Sequence, residues 1–445
     1  MQEDRLRWRV SQVLGGPCKK EELNENDIIS CLSFDRQGNF LAVGDQISRV
    51  VFFEKPRIPG GQVLYEYNYG GEFVTQPKAA QTKNGQKSAQ PGSPLESLES
   101  EDKVSRLKWL RPVGETQFML TATGMTIKLW KIAFEITNEY RPANRGAKTE
   151  KDLQIPQVVR LADDAMGEKN WTKQEKREFP SLHKNIIRDL SVSPNGEHFM
   201  SMDHFQVNLW NIEDKLQAYS VFDITPPEGG EVSEILTGIH YHPKTDTVFL
   251  ASTSMGSTYI CDMRQSSQCQ ENAVELREPL PQNKNTYLLE VLSSVGEAQF
   301  LPNDQNYVIT REFNKVRIWD IRKTEKAAES YNVFEPILTK LSYMYENNNL
   351  ISERFPITAS PCGRYIATGF FNGSFHVIDR TGKVNTQIQV AANKKLISRE
   401  ITPELSKQPI PDNFEYDRRI QSMAWHPKMN TLAVACLDAL FIYNV

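Results

Sequence analysis

The chain has 445 residues, 39% of them hydrophobic and 24% charged, with 52 Lys and Arg against 56 Asp and Glu for a formal net charge of −4. That is enough apolar material for a sizeable core, and it excludes the strongly basic surface typical of a nucleic-acid-binding domain. No run approaches the roughly 18 apolar residues of a membrane helix, and the opening MQEDRLRWRV is charged where a secretory signal would be apolar.

In chain order the first pattern is LRWRVSQVL (Leu6 to Leu14), which alternates apolar and polar residues as a half-buried strand does. A unit of three short runs separated by turn residues then recurs seven times. The first copy reads IISCLSF (Ile28 to Phe34), FLAVGD (Phe40 to Asp45) and RVVFF (Arg49 to Phe53). The second reads VSRLKWL (Val104 to Leu110), FMLTAT (Phe118 to Thr123) and TIKLWKI (Thr126 to Ile132). The third reads IRDLSVSPNG (Ile187 to Gly196), HFMSMD (His198 to Asp203) and VNLWNI (Val207 to Ile212). The fourth begins LTGIHYHP at Leu236, the fifth VGEAQFLPN at Val295, the sixth FPITASPCG at Phe355 and the seventh IQSMAWHP at Ile420.

Each run is short, rich in Val, Ile, Leu and aromatics, and bounded by turn residues, which is a strand signal. Three strands per unit, plus a weaker fourth in the connection, predict an all-β, seven-bladed WD-type β-propeller filling residues 1–445 as a single domain. The seventh unit ends at Val445, directly after its third run, so Leu6 to Leu14 is expected to supply the missing outer strand and close the ring.

Three stretches leave the repeat. Residues 75–103 are polar and low in apolar content, a low-complexity insertion. Residues 133–183 carry both LQIPQVVRL and the charge-dense GEKNWTKQEKRE. They read either as a solvated loop or as a protruding strand pair with a mixed-charge tip, a docking arm between blades 2 and 3. Tyr140, Arg141, Arg145, Lys148 and Lys151 are its candidate contacts to an acidic surface. Residues 380–416 are expected to be loop with a short helical piece.

The six cysteines are scattered with no CxxC pair, and most sit in strand patterns, as free thiols of a reducing compartment do. No GxSxG, HExxH, Walker or dinucleotide motif is present, so no enzyme, cofactor or metal site is expected. His242 and His426, in YHP and WHP, read as turn residues. Asp203 reads either as a turn cap or as part of an acidic rim for basic ligands, and Glu346 either as a solvated charge or as part of the same rim.

An ordered set of strings then stands out: ENDIISCLSF, LAVGD, IKLWKI, DITPPEGGEVSEILT, TREFNKVRIWD, YNVFEPILTKLSYMYEN and AWHPKMNTLAVA. Together they resemble the 55-kilodalton B family of protein phosphatase 2A regulatory subunits, from about Val10 to Tyr443. The resemblance implies a non-catalytic propeller that joins a helical-repeat scaffold and a catalytic subunit in a serine/threonine phosphatase trimer. It implies that 133–183 grips the scaffold. It also places Asp203, Val232, Glu346 and Arg354 at a substrate groove that selects phosphoproteins with basic flanks. His204 stands where the family carries a second acid, and SPLESLESEDKVSR and HKNIIRDLS also depart from the family pattern, which marks a divergent member. The competing reading is a propeller adaptor in another assembly, without phosphatase coupling. No nucleic-acid or membrane partner is expected, and the expected setting is the cytoplasm, with nuclear or cytoskeletal association left open.

Overall fold

The computed structural model describes residues 8–16, 23–56, 66–76, 102–136, 169–214, 217–227, 230–266, 268–279, 286–346, 350, 354–382, 384–390, 399–401, 410–411 and 414–444. Seven antiparallel sheets form, six of four strands and one of five. Their innermost strands are Ile29–Phe34, Val104–Trp109, Asp189–Val192, Leu236–Tyr241, Glu297–Phe300, Ile357–Ala359 and Ile420–Trp425, and each packs against its two neighbours in a closed ring. The seven-bladed propeller read from the repeat is therefore the fold.

Closure follows the expected route. Strand Arg9–Gly15 pairs antiparallel with Ala439–Asn444, from Arg9 opposite Asn444 to Gly15 opposite Ala439. The ring is sealed by one strand from the beginning of the chain and three from its end, and blade 7 has no open outer edge on strand Ala439–Asn444.

Among the described residues there is no single centre of apolar packing. Seven wedges form instead, one in each gap between neighbouring blades. Between blades 1 and 2, for example, Phe52, Trp109, Trp130 and Ile132 pack together. Turns between the first two strands reuse one device. Gly38, Gly196 and Gly363 occupy the same turn position at φ of +77°, +79° and +70°, a region that L side chains rarely adopt. At Gly38 a Cβ would also stand 1.9 Å from the His426 ring. His242 and His426 hold their own turns, each accepting through Nδ1 from two following backbone N–H groups.

The stretch GEKNWTKQEKRE is not a tip. It forms most of strand Lys169–Phe179, the outer strand of blade 2, paired along its length with Thr126–Ile136. Glu175, Lys176 and Glu178 are exposed, while Trp171 packs edge-on against Phe40 and Phe52. Lys128 Nζ meets Glu175 at 2.9 Å, and Lys176 lies over the Phe118 ring. The strand pair runs as far as Ile136 opposite Lys169. Beyond it, Tyr140, Arg141, Arg145, Lys148 and Lys151 lie outside the described residues, as do 77–101 of the low-complexity insertion. In 380–416, Val384–Gln389 is the fourth strand of blade 6 and Arg399–Ile401 a fifth, while 391–398 and 402–409, where most of the expected helical piece falls, lie outside the described residues.

Three histidines with lowered pKa, His376 and His426 buried and His240 half-buried, predict an acid-sensitive fold. Burial pushes His240 and His426 down to about 4 and His376 to about 3. His376 donates from Nδ1 to Asn385, while its Nε2 is buried without a partner, so protonation there would bury an unpaired donor. Folded pKa values below the unfolded 6.5 mean that the unfolded chain binds more protons as pH falls. Stability is full above about 6.5 and declines toward about 4, by up to about 1.4 kcal/mol per pH unit for each histidine. Denaturant unfolding at pH 7, 6 and 5 should show this slope, and His376→Phe should make it shallower; an unchanged slope would refute the assignment.

Candidate functional site

The inner strands enclose a channel of about 2290 Å³. Aligning them by their second-strand partners puts Cys31, Arg106, Asp189, Glu297, Pro356 and Ser422 at one level, with Gly238 completing the ring. An inner strand exposes unpaired N–H groups, and this level satisfies some of them across blade boundaries. Asp189 accepts from the Ile239 N–H of blade 4 at 3.1 Å, Glu297 from Ile357 of blade 6 at 2.9 Å, and Ser422 from Leu32 of blade 1 at 3.2 Å. Arg106 donates to Asp189 at 3.0 Å and reaches Glu297 at 3.7 Å, bracing blade 2 against blades 3 and 5. Burial works against the Arg106 charge, but the two carboxylates outweigh it and hold the guanidinium protonated. Burial raises Glu297 above the usual carboxylate range against the pull of Arg106.

Asp203 is not on the surface. It is 1% exposed, and its carboxylate accepts from His183 Nδ1 at 3.0 Å and from the N–H groups of Phe205 and Gln206 at 2.8 Å each. The line continues inward: the Ser201 hydroxyl donates to His183 Nε2 at 2.6 Å and accepts from Trp210 Nε1 at 2.7 Å. Burial alone would raise the Asp203 carboxyl, but these hydrogen bonds hold it below the ordinary carboxylate range. The acid expected at an open rim thus fixes a turn, as the turn-cap reading had it. Blades 2 and 5 keep the inner half of this arrangement, with Trp130 bonded to Thr121 and Trp319 to Thr310, both at 3.0 Å.

The remaining groove candidates separate into two zones. His204, 7% exposed, and Arg354, half-buried, both line the channel. Val232 is 49% exposed on the loop entering blade 4, flanked by Glu231 and Glu234, and Glu346 is exposed at the end of helix Leu341–Glu346. Neither Val232 nor Glu346 lines the channel. Sequence reasoning missed Arg106, Asp189, Glu297 and Arg188. The available signal was a charge embedded in an otherwise apolar first run, VSR, IRD and VGE, at the same place in three units. No group of three His, Cys, Asp or Glu suited to a metal occurs among the described residues.

No family model matches the chain. Among characterised proteins it is 29% identical to the protein phosphatase PP2A 55 kDa regulatory subunit of Drosophila melanogaster, over 98% of this chain and 87% of that one. It is 28% identical to the serine/threonine-protein phosphatase 2A regulatory subunit sur-6 of Caenorhabditis elegans, over 99% and 91%. It is also 28% identical to the B beta isoform of the serine/threonine protein phosphatase 2A 55 kDa regulatory subunit of Arabidopsis thaliana, over 98% and 97%. Among solved structures, the Cps50 (Swd1) β-propeller domain of Myceliophteria thermophila superposes with a TM-score of 0.56 at 14% identity, covering 99% of this chain and all of that one. Raptor of Chaetomium thermophilum gives 0.57 at 11% identity, covering 98% of this chain and 29% of that one. These two likenesses concern the fold alone.

Proposed function

We infer that this chain, a divergent member of the 55 kDa regulatory-subunit family of protein phosphatase 2A, acts as the targeting subunit of a phosphatase trimer. Its role is non-catalytic and regulatory, and the observation that carries this is similarity to such subunits along nearly its whole length. The finer reading is that it joins a helical-repeat scaffold subunit and a catalytic subunit and presents phosphoprotein clients to the latter. Holding a client beside a catalytic centre raises its local concentration without any chemistry by the propeller itself.

The scaffold contact is assigned to the segment that leaves blade 2 after Ile136 and returns at Lys169. Support comes from its apolar and basic composition and from the strand pair that carries the chain as far as Ile136 and Lys169. Client recognition is assigned to the loop face, where Glu346, Glu231 and Glu234 could meet basic flanks and Val232 an apolar residue.

The test is co-purification of full-length protein with the scaffold and catalytic subunits. Replacing 137–168 with a Gly-Ser linker, which spares the outer strand of blade 2, should leave the unfolding transition in place and abolish recovery of both partners. Full recovery with the linker would overturn the arm assignment, and no recovery with the intact chain would overturn the phosphatase reading. In the trimer, Glu346→Lys should slow dephosphorylation of a peptide with basic flanks by about fivefold, consistent with an exposed rim charge, and spare a small-molecule phosphate.

A further inference from the structure

We propose that Arg36 and Arg111 form a binding site for a small molecule carrying two or more phosphate groups, at the end of the channel away from the groove candidates. Three turns meet there. Arg36 stands in the turn between the first two strands of blade 1, Arg111 in that of blade 2, and Ser193 and Pro194 in that of blade 3. Val232, Glu346 and Arg354 lie in connections that lead into inner strands, and so at the other ends of those strands.

One backbone oxygen brings the two guanidiniums together. Arg36 Nη1 donates to the Pro194 carbonyl at 3.0 Å and Arg111 Nη2 to the same oxygen at 2.6 Å, while Arg36 Nη2 donates to the Ser193 carbonyl at 3.1 Å. Donors that share an oxygen are necessarily neighbours. The Arg111 stem lies over Gly196, where a Cβ would come within 3.4 Å of its Cγ and Cδ. Both arginines are exposed, and these bonds leave most of their N–H donors unused.

Their charges are not balanced locally. Among the described residues no carboxylate comes within ion-pair distance of either guanidinium. Asp246 favours the Arg36 charge from further off, but partial burial and the neighbouring Arg111 outweigh it and hold Arg36 below the usual guanidinium range. A brace to a carbonyl needs only a neutral donor, so repulsion between two cations is a cost that bracing does not require. A phosphate between the forks removes that cost, because planar guanidiniums pair with its oxygens two at a time. A second phosphate also finds positive charge. Arg36 lines the channel, and so does Lys108, two residues beyond Arg106 along the inner strand of blade 2 toward this same end. Lys108 makes no ion pair among the described residues. A ligand seated on the guanidinium pair and extending inward therefore gains from each further phosphate.

The test is calorimetric titration of the full-length protein with orthophosphate, pyrophosphate and tripolyphosphate at low ionic strength, where exposed charges are least screened. Pyrophosphate should bind saturably and more tightly than orthophosphate. Arg111→Gln should weaken pyrophosphate about tenfold, and Arg111→Lys, which keeps the charge but loses the fork, by less. Arg36→Gln should weaken it as Arg111→Gln does. Thermal unfolding without ligand checks each variant; if Arg36→Gln proves unstable, the two Arg111 variants carry the test. No saturable binding, or wild-type affinity in Arg111→Gln, would overturn the site. Lower ligand-free stability with unchanged affinity would make the pair a brace between blades and overturn it equally. Displacement of pyrophosphate by a short polyglutamate peptide at comparable concentration would overturn the assignment to a small molecule. None of these outcomes bears on co-purification with the phosphatase subunits.

Discussion

Removing residues 1–16 should lower the stability of the propeller by well over 5 kcal/mol and leave a protein that unfolds without a cooperative transition at moderate temperature. Trp8 is 5% exposed and meets Trp425 edge-on at 5.6 Å, so its loss alone is worth about 3–5 kcal/mol. The deleted strand also takes away the ladder from Arg9–Asn444 to Gly15–Ala439 and bares the edge of Ala439–Asn444. It further removes a clamp onto blade 1: the Gln12 amide donates to Tyr67 carbonyl and accepts from Tyr67 N–H, both at 2.8 Å. Tyr67 in turn donates through its hydroxyl to Gly38 at 2.8 Å, beside the His426 contact from blade 7. A ring loses more than one strand when a closing strand goes, because both flanking wedges open. Urea unfolding of the truncated chain and of Trp8→Ala would check this, and a midpoint equal to wild type for the truncation would refute velcro-like closure.

The blades were legible because their second strands are buried on both faces. Phe40–Asp45 and Thr431–Cys436 are buried at every position, and their runs of Leu, Ala and Val stand out without alternation. Fourth strands were harder to see because they lie at the rim with little to bury. Glu329–Asn332 has no aliphatic residue, Val274–Leu276 is only three residues long, and Lys169–Phe179 looks like a charged loop until Trp171 and Phe179 are placed under it. The helices Thr286–Ser293 and Leu341–Glu346 were missed for a different reason: both are shorter than three turns, too short for a helical period to show. In the candidate site, sequence could name Asp203 and His204 but not the directions of their side chains. Adjacent residues on a turn face opposite ways, so one carboxylate points into the blade while the imidazole points into the channel.

That difference in direction sets the outcome of Asp203→Lys. A surface acid replaced by lysine would repel basic clients and leave the fold alone. Asp203 is instead the outer end of a line through His183 and Ser201 to Trp210, nearly all of it buried. A lysine there would place an ammonium against the His183 ring and the N–H groups of Phe205 and Gln206, all of them donors toward that spot. The expected loss is about 3–5 kcal/mol, the range for breaking a buried charge pairing. Asp203→Asn keeps the shape and one acceptor oxygen, and should cost about 1–3 kcal/mol. His183→Ala should fall between the two, because it removes one partner each from Asp203 and Ser201 and leaves a cavity, while the Phe205, Gln206 and Trp210 hydrogen bonds remain. Thermal and urea unfolding of the isolated chain would rank the three variants, with no client present. If Asp203→Lys unfolds like wild type and differs only in client binding, the carboxylate faces the groove after all and the buried line is wrong.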